Sequence, residues 1–219
     1  MEAFVEAHKK VFIEVISNSD EVRAEYLANY REEANDFSLA MSQALTVWHQ
    51  FDARGDAAAA ATVSSLAYSA ITLHIQSMKL FLSGCPVPAG NLSRQVIESM
   101  ALALLCSLKD GPVIKAFMAD QYDIHEALAD TRRYRAALGL SPSSLECLER
   151  CQRFYTLYSH PTKMTVASYM SHSEEGLYIG AAFDEGKLVF YGHEMNRRMA
   201  LAEIFPGLLR TVRNNLRQW

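Results

Sequence analysis

Hydrophobic residues recur at steps of three and four along most of the chain, which is the spacing of amphipathic helices. The first such segment carries its apolar residues at Phe4, Val5, Val11, Phe12, Val15 and Ile16. Similar segments follow, and one of them has a clear start signal, because Ser141 can cap a helix whose first residue is Pro142. The pattern predicts an all-α fold, a multi-helix up-and-down bundle.

Two segments in the middle of the chain are apolar on more than one face. They run over Ala57–Leu82 and 89–108, with a connector at Gly84 between them. Because a helix that is apolar all round is normally buried, we expect these two at the centre of the bundle. Before them we predict two shorter helices, one ending near Asn29 and the other at Gly55.

The pattern changes between residues 176 and 192. Residues 177–183 and 188–191 are rich in strand-forming side chains, and between them lies a turn with Gly186 in third place. We therefore predict one C-terminal β-hairpin over about 176–192, inserted before the last helix. Because a hairpin leaves two unpaired strand edges, we also expect a homodimer.

Length and charge restrict the class of protein. A chain of 219 residues is long enough for one well-buried core, so we expect a single domain over 1–219. A net charge of −4 argues against binding nucleic acid or anionic membrane by bulk electrostatics. Glutamates interrupt the apolar residues at the N-terminus, so we expect no signal peptide and no membrane segment, and a cytoplasmic protein. We expect the arginines of the last helix to be solvated; they are Arg197, Arg198, Arg210, Arg213 and Arg217.

Metal and cofactor chemistry has little support in the sequence. Cys147 and Cys151 are spaced one helical turn apart, but histidine partners at ligand spacing are missing nearby. Nucleotide-binding and hydrolase motifs are also missing. We therefore expect reduced thiols, no metal and no cofactor.

Arg94 and Glu98 form an unusual pair of opposite charges, one turn apart near the start of a strongly apolar helix. The pair is either a surface bridge or a polar insertion in the core. A buried charge is tolerated only when it is paired with an opposite charge or serves the function of the protein. We expect at least partial burial of Glu98 and a cationic partner for it.

Arg153 and His160 are a second polar pair. At 100° per residue they differ by about 700°, close to two full turns, so both project to one side of a continuous helix. An arginine there can bind phosphate and a histidine can transfer a proton, which suits RNA cleavage. The alternative is that Arg153 lies on a solvent-exposed helix face and that His160 caps a helix end before Pro161.

This spacing, an arginine followed after six residues by a histidine, resembles the R-x(4–6)-H signature of HEPN-type helical domains. The resemblance implies a helical bundle with metal-free ribonuclease activity on a composite dimer site, where Arg153 would orient the scissile phosphate and His160 would act as acid or base. Phe154 stands where that family usually carries Asn, Asp or His. Residues 66–108, together with the Tyr158 to Thr162 segment, also resemble uncharacterised bacterial helical proteins.

The sequence leaves two function classes. The preferred one is a dimeric binding or regulatory module with a polar site at Arg94, Glu98 and His160, joined by Tyr158 and Lys163. The alternative is a HEPN-like ribonuclease that uses Arg153 and His160. The expected ligand is RNA or a small molecule.

Overall fold

The computed structural model describes residues 2–52, 57–109 and 111–219, with the side chains described from Phe4 onward. Over these residues the predicted all-α class is confirmed. The helices are α1 Glu2–Ile16, α2 Asp20–Trp48, α3 Ala57–Leu82, α4 Pro86–Cys106, α5 Pro112–Met118, α6 Ala127–Arg133, α7 Arg135–Leu138, α8 Pro142–Tyr155, α9 Lys163–Tyr169 and α10 Leu188–Leu216. Short 3₁₀ turns occupy Ile124–Glu126, Thr156–Tyr158 and Glu185–Lys187.

Helices α3 and α4 pack along each other at the centre of the fold, as their composition predicts. Small residues on both make this close packing possible, and the buried ones are Ala59, Ala67, Ala70, Ala89, Gly90, Ala101 and Ala103. Within the part of the chain that the structure describes, α3 is the one helix long and apolar enough to span a membrane by length and composition.

Helices α2 and α10 pack along each other beside this central pair. We predicted two helices in the α2 region, the first ending near Asn29, and the structure has two helical segments that meet at a kink one residue later, at Tyr30, where the backbone leaves helical geometry (φ −134°, ψ 27°). The helix end predicted at Gly55 lies outside the described residues.

The predicted β-hairpin over 176–192 is wrong. Leu177 forms an isolated antiparallel bridge with Met170, and the Tyr178 amide donates to the Tyr169 carbonyl at 2.8 Å. Residues 188–191, predicted as the second strand, are the first turn of α10. No strand occurs in the ranges that the structure describes.

Asp184 explains why the chain becomes helical at this point. Its side chain accepts hydrogen bonds from the backbone amides of His172 at 2.6 Å and Gly186 at 2.9 Å. An aspartate that binds the amide two residues ahead starts a turn, and this 3₁₀ turn leads directly into α10. Capping by Asp184 therefore overrides the strand propensity of the four residues after Lys187.

The end of α8 bears directly on the second polar pair. Ser141 caps α8 as predicted, accepting from the Ser144 amide at 3.1 Å. The α-helix ends at Tyr155 and is followed by a 3₁₀ turn over Thr156–Tyr158. Because a 3₁₀ turn has three residues per turn, Arg153 and His160 do not share one ideal helix face.

Helix α1 leaves its apolar side chains in solvent. Phe4, Val5, Phe12, Val15 and Ile16 are all at least half exposed. The helix is attached to the rest of the fold through Glu14, whose carboxylate accepts from the Ala181 amide at 3.0 Å. This exposed apolar surface is the largest on a single helix in the described residues.

Candidate functional site

Arg94 and Glu98 form an ion pair on α4, with 2.8 Å between Arg94 Nε and Glu98 Oε1. Their side chains are 17% and 18% exposed. The predicted partial burial of Glu98 and its cationic partner are therefore both confirmed. The pair lies at the rim of the fold, with solvent access on one side.

His125 lies next to this pair, which the sequence had not indicated. Its Nδ1 is 3.4 Å from Arg94 Nη2. The Asp123 carboxylate accepts from the His125 amide at 3.0 Å and so fixes the backbone of this turn. His125 is separated from Arg94 by 31 residues in the sequence, and no local spacing could have paired them.

Tyr158 was expected to join the polar site at Arg94 and Glu98, but it contacts other residues. Its hydroxyl donates to the Glu194 carboxylate of α10, and both side chains are buried. Its ring packs on Gly90 of α4, one turn before Arg94, where an added Cβ would lie 2.5 Å from the ring. Tyr158 therefore contacts α4 one turn before Arg94, but its side chain is buried in the core.

Glu194 is part of a buried polar cluster that joins three helices. It pairs with Arg198 of α10 at 3.1 Å. The Arg198 Nη1 atom donates to Ser77 of α3 at 2.7 Å and to Ser93 of α4 at 2.6 Å. We expected Arg198 to be solvated; it is completely buried, where Glu194 balances its charge and the two serines accept from its Nη1 atom.

Burial shifts the ionisation of the groups around this cluster. It raises the pKa of Glu194, although the Arg198 cation opposes that shift, and it raises the pKa of the Tyr158 hydroxyl. His74, which lies between the rings of Phe37 and Phe205, has its pKa lowered to about 3, chiefly by burial and then by the Arg198 charge. The cluster is sealed from solvent and holds α3, α4 and α10 together.

The other predicted site residues are at the surface. Lys163 begins α9, and His160 lies in the bend before it; both are exposed. None of the hydrogen bonds or ion pairs in the described part of the chain joins Arg94 or Glu98 to Tyr158, His160 or Lys163. The structure thus brings together two of the predicted residues and adds His125.

Arg153 lines a shallow surface groove of about 310 Å³ between α6 and α8. Arg132, Glu149 and Gln152 line the same groove, but His160 does not. Arg153 and His160 are both exposed.

The cysteines and acidic residues do not assemble into a metal centre within the described ranges, where no group of three or more His, Cys, Asp or Glu side chains is suitably placed. Cys147 and Cys151 are buried as free thiols, and their sulfurs lie 3.6 and 3.9 Å from backbone carbonyls of α10. The pKa of the Cys147 thiol is lowered, chiefly by the neighbouring Cys151 thiol.

No protein-family model matches this chain, and neither does any curated protein or solved structure. Its function has to be inferred from the residues of the site.

Proposed function

We propose that the protein is a non-catalytic binding module that recognises an anionic group of a small ligand at Arg94. The observation that carries this proposal is the partly exposed Arg94 guanidinium, fixed on one side by Glu98. A guanidinium keeps its charge at all physiological pH values and presents paired donors to carboxylates and phosphates.

Glu98 acts as a positioning residue in this proposal. Its carboxylate accepts a hydrogen bond from the Nε–H of Arg94, which leaves the two terminal nitrogens of the guanidinium to the ligand. The Nη2 nitrogen already lies against His125. Because an arginine nitrogen can only donate, His125 Nδ1 is the acceptor in this contact, and an anion is held by the remaining donors of Arg94.

Binding can be tested with inorganic phosphate as the probe, observed through the Nε resonance of Arg94 in NMR spectra. In the wild type we expect phosphate to shift this resonance and the resonances of neighbouring backbone amides. In Arg94→Gln the shifts of those amides should be abolished. The matched control is Arg133→Gln, which removes an arginine that is 70% exposed on α6. Phosphate shifts that persist in Arg94→Gln, or that are absent from the wild type, would contradict the proposal.

Dimerisation through α1 is part of the same proposal. The hairpin edges that first suggested a dimer do not exist, but the exposed apolar surface of α1 gives an independent reason for one. Phe4 and Phe12 both stack on His8, so they form one continuous face. We propose that this face packs against a second copy of the chain.

Light scattering tests the dimer. We expect a mass near twice the chain mass of 24.5 kDa, and a return to the monomer mass in Phe4→Glu/Phe12→Glu. The control is Val189→Glu, which places the same charge at a residue that is 77% exposed on α10. A wild-type protein that stays monomeric at all concentrations would contradict this part of the proposal.

A HEPN-like ribonuclease is the second candidate, favoured by the exposure of both Arg153 and His160. In this alternative Arg153 orients the scissile phosphate and His160 transfers a proton, with the site completed by a second copy. Incubation with total RNA in EDTA tests it. Cleavage by the wild type and its loss in His160→Ala, but not in the control His125→Ala, would support the nuclease and reject a non-catalytic module.

A further inference from the structure

Lys187 is a charged side chain inside the protein and lines two cavities. It is 5% exposed and lies in the 3₁₀ turn before α10. One cavity, of about 160 Å³, is formed with Met164, Ala167, Ser168, His172 and Phe190. The other, of about 170 Å³, lies toward Cys85 and Tyr191.

The ammonium group of Lys187 has few partners. It donates to the Ser168 carbonyl at 2.9 Å and lies 5.2 Å from the centre of the Tyr178 ring. Among the described residues it forms no ion pair. The Asp184 carboxylate acts on it electrostatically without an ion pair, and the Asp184 oxygens accept from the His172 and Gly186 amides instead.

A buried ammonium with one hydrogen-bond acceptor and no ion pair is unfavourable, because the Ser168 carbonyl, the Tyr178 ring and the charge of Asp184 replace only part of its lost hydration. Burial accordingly lowers the pKa of Lys187. A small anion in an adjacent cavity would supply the missing charge and accept the ammonium protons that Ser168 leaves free. The geometry therefore calls for a negatively charged ligand.

We propose that the cavity lined by Met164, Ala167, Phe190 and Lys187 binds a short-chain monocarboxylate. The carboxylate pairs with the Lys187 ammonium, and the hydrocarbon chain packs on Met164 and Phe190. A dry cavity of about 150 Å³ accommodates a molecule of about six heavy atoms such as benzene, and butyrate has the same number of heavy atoms. One cation beside apolar walls suits one carboxylate with a hydrocarbon tail better than a phosphate dianion.

Ligand chemistry on the wild-type protein gives the first test. Sodium butyrate, butyramide and butylamine have nearly the same shape and differ in charge. We expect butyrate to shift the amide resonances of residues 164–172 and 186–190, and butyramide and butylamine to bind about tenfold more weakly or not at all. Equal binding of butyrate and butyramide, or no binding of butyrate, would overturn the proposal.

Two variants locate the site. Lys187→Met removes the charge, and Ala167→Leu fills the cavity while keeping Lys187; each should weaken butyrate binding about tenfold or more. The control Lys115→Met removes an exposed lysine on α5 and should leave binding unchanged. Undiminished binding in a folded Ala167→Leu protein would place butyrate elsewhere, including the cavity near Cys85, and would overturn the proposal. Because the comparison of the three ligands needs no variant, a Lys187→Met protein that fails to fold does not prevent a decision.

Discussion

Glu194 and Arg198 lie one turn apart on α10 and form an ion pair in which neither side chain is exposed to solvent. Through Ser77 and Ser93, Arg198 also ties α10 to the two central helices. Arg198 therefore connects elements that are distant in sequence, so its removal should affect the whole fold.

Replacing Arg198 by alanine should destabilise the protein strongly. The change leaves the buried Glu194 carboxylate without its cationic partner. Loss of one partner of a buried pair lowers the free energy of unfolding by about 3–5 kcal/mol. Urea denaturation should show this loss, while Arg133→Ala, at an exposed pair with Asp130, should cost less than about 1 kcal/mol. The double variant Glu194→Gln/Arg198→Met should be less destabilised than the sum of the two single changes. Arg198→Ala and Arg133→Ala with equal effects would show that the cluster contributes little.

His74 should make the protein less stable in mild acid. Its pKa is about 3 in the folded protein and about 6.5 when exposed, so between these pH values the unfolded chain binds a proton that the folded protein does not. The free energy of unfolding therefore falls as the pH decreases below about 6.5, by about 1.4 kcal/mol per pH unit for this one group.

Urea denaturation at several pH values checks this dependence. The fall in stability between pH 6.5 and pH 5 should be smaller in His74→Leu than in the wild type. His49→Leu, at an exposed histidine after α2, is the control and should keep the wild-type dependence. Identical pH dependence in wild type and His74→Leu would mean that His74 titrates normally in the folded protein.

Local patterns were sufficient for the central helices, for the start of α8 and for the Arg94–Glu98 pair, but not for the buried Glu194–Arg198 pair within α10. Apolar spacing located the central pair α3 and α4, the cap at Ser141 was correct, and Arg94 and Glu98 pair as their spacing predicts. These features depend on residues within a few positions of each other, which is what a sequence pattern records.

Contacts over long sequence distances were missed. Arg198 looked like one of several solvated arginines, because its partner serines are 121 and 105 residues away. The hairpin prediction failed for a related reason. The four apolar residues after Lys187 are equally compatible with a strand and with a buried helical turn. Asp184 accepts from the His172 and Gly186 amides, and this capping favours the helix.

The Arg94–Glu98 pair should contribute less than the buried pair on α10 and more than a surface pair. Its side chains are 17% and 18% exposed, so part of the charge remains hydrated after one partner is lost. We expect Arg94→Ala to cost about 1–3 kcal/mol, between the ranges for exposed and buried pairs. Urea denaturation of both single variants and of Arg94→Ala/Glu98→Ala should show a double variant milder than the sum. A change within about half a kcal/mol of the wild type for Arg94→Ala would make the pair an ordinary surface bridge.

Adding one methyl group should have opposite effects at two helical glycines. An alanine in a helix interior is normally more stable than glycine by about 0.5–1 kcal/mol, because glycine loses more backbone entropy on folding. Gly207 of α10 has nothing within 4 Å of a built Cβ, so Gly207→Ala should stabilise the protein by about this amount.

Gly90 of α4 differs, because the Cβ of an alanine there would lie 2.5 Å from the Tyr158 ring. Tyr158 cannot move aside without disturbing its buried hydrogen bond to Glu194, so Gly90→Ala should destabilise the protein by about 1–3 kcal/mol despite the gain in helix propensity. Urea denaturation of the two variants gives the sign directly. If Gly90→Ala were as stable as Gly207→Ala, Tyr158 would not be held against α4, and Ser93 would remain as the contact between that helix and the buried cluster.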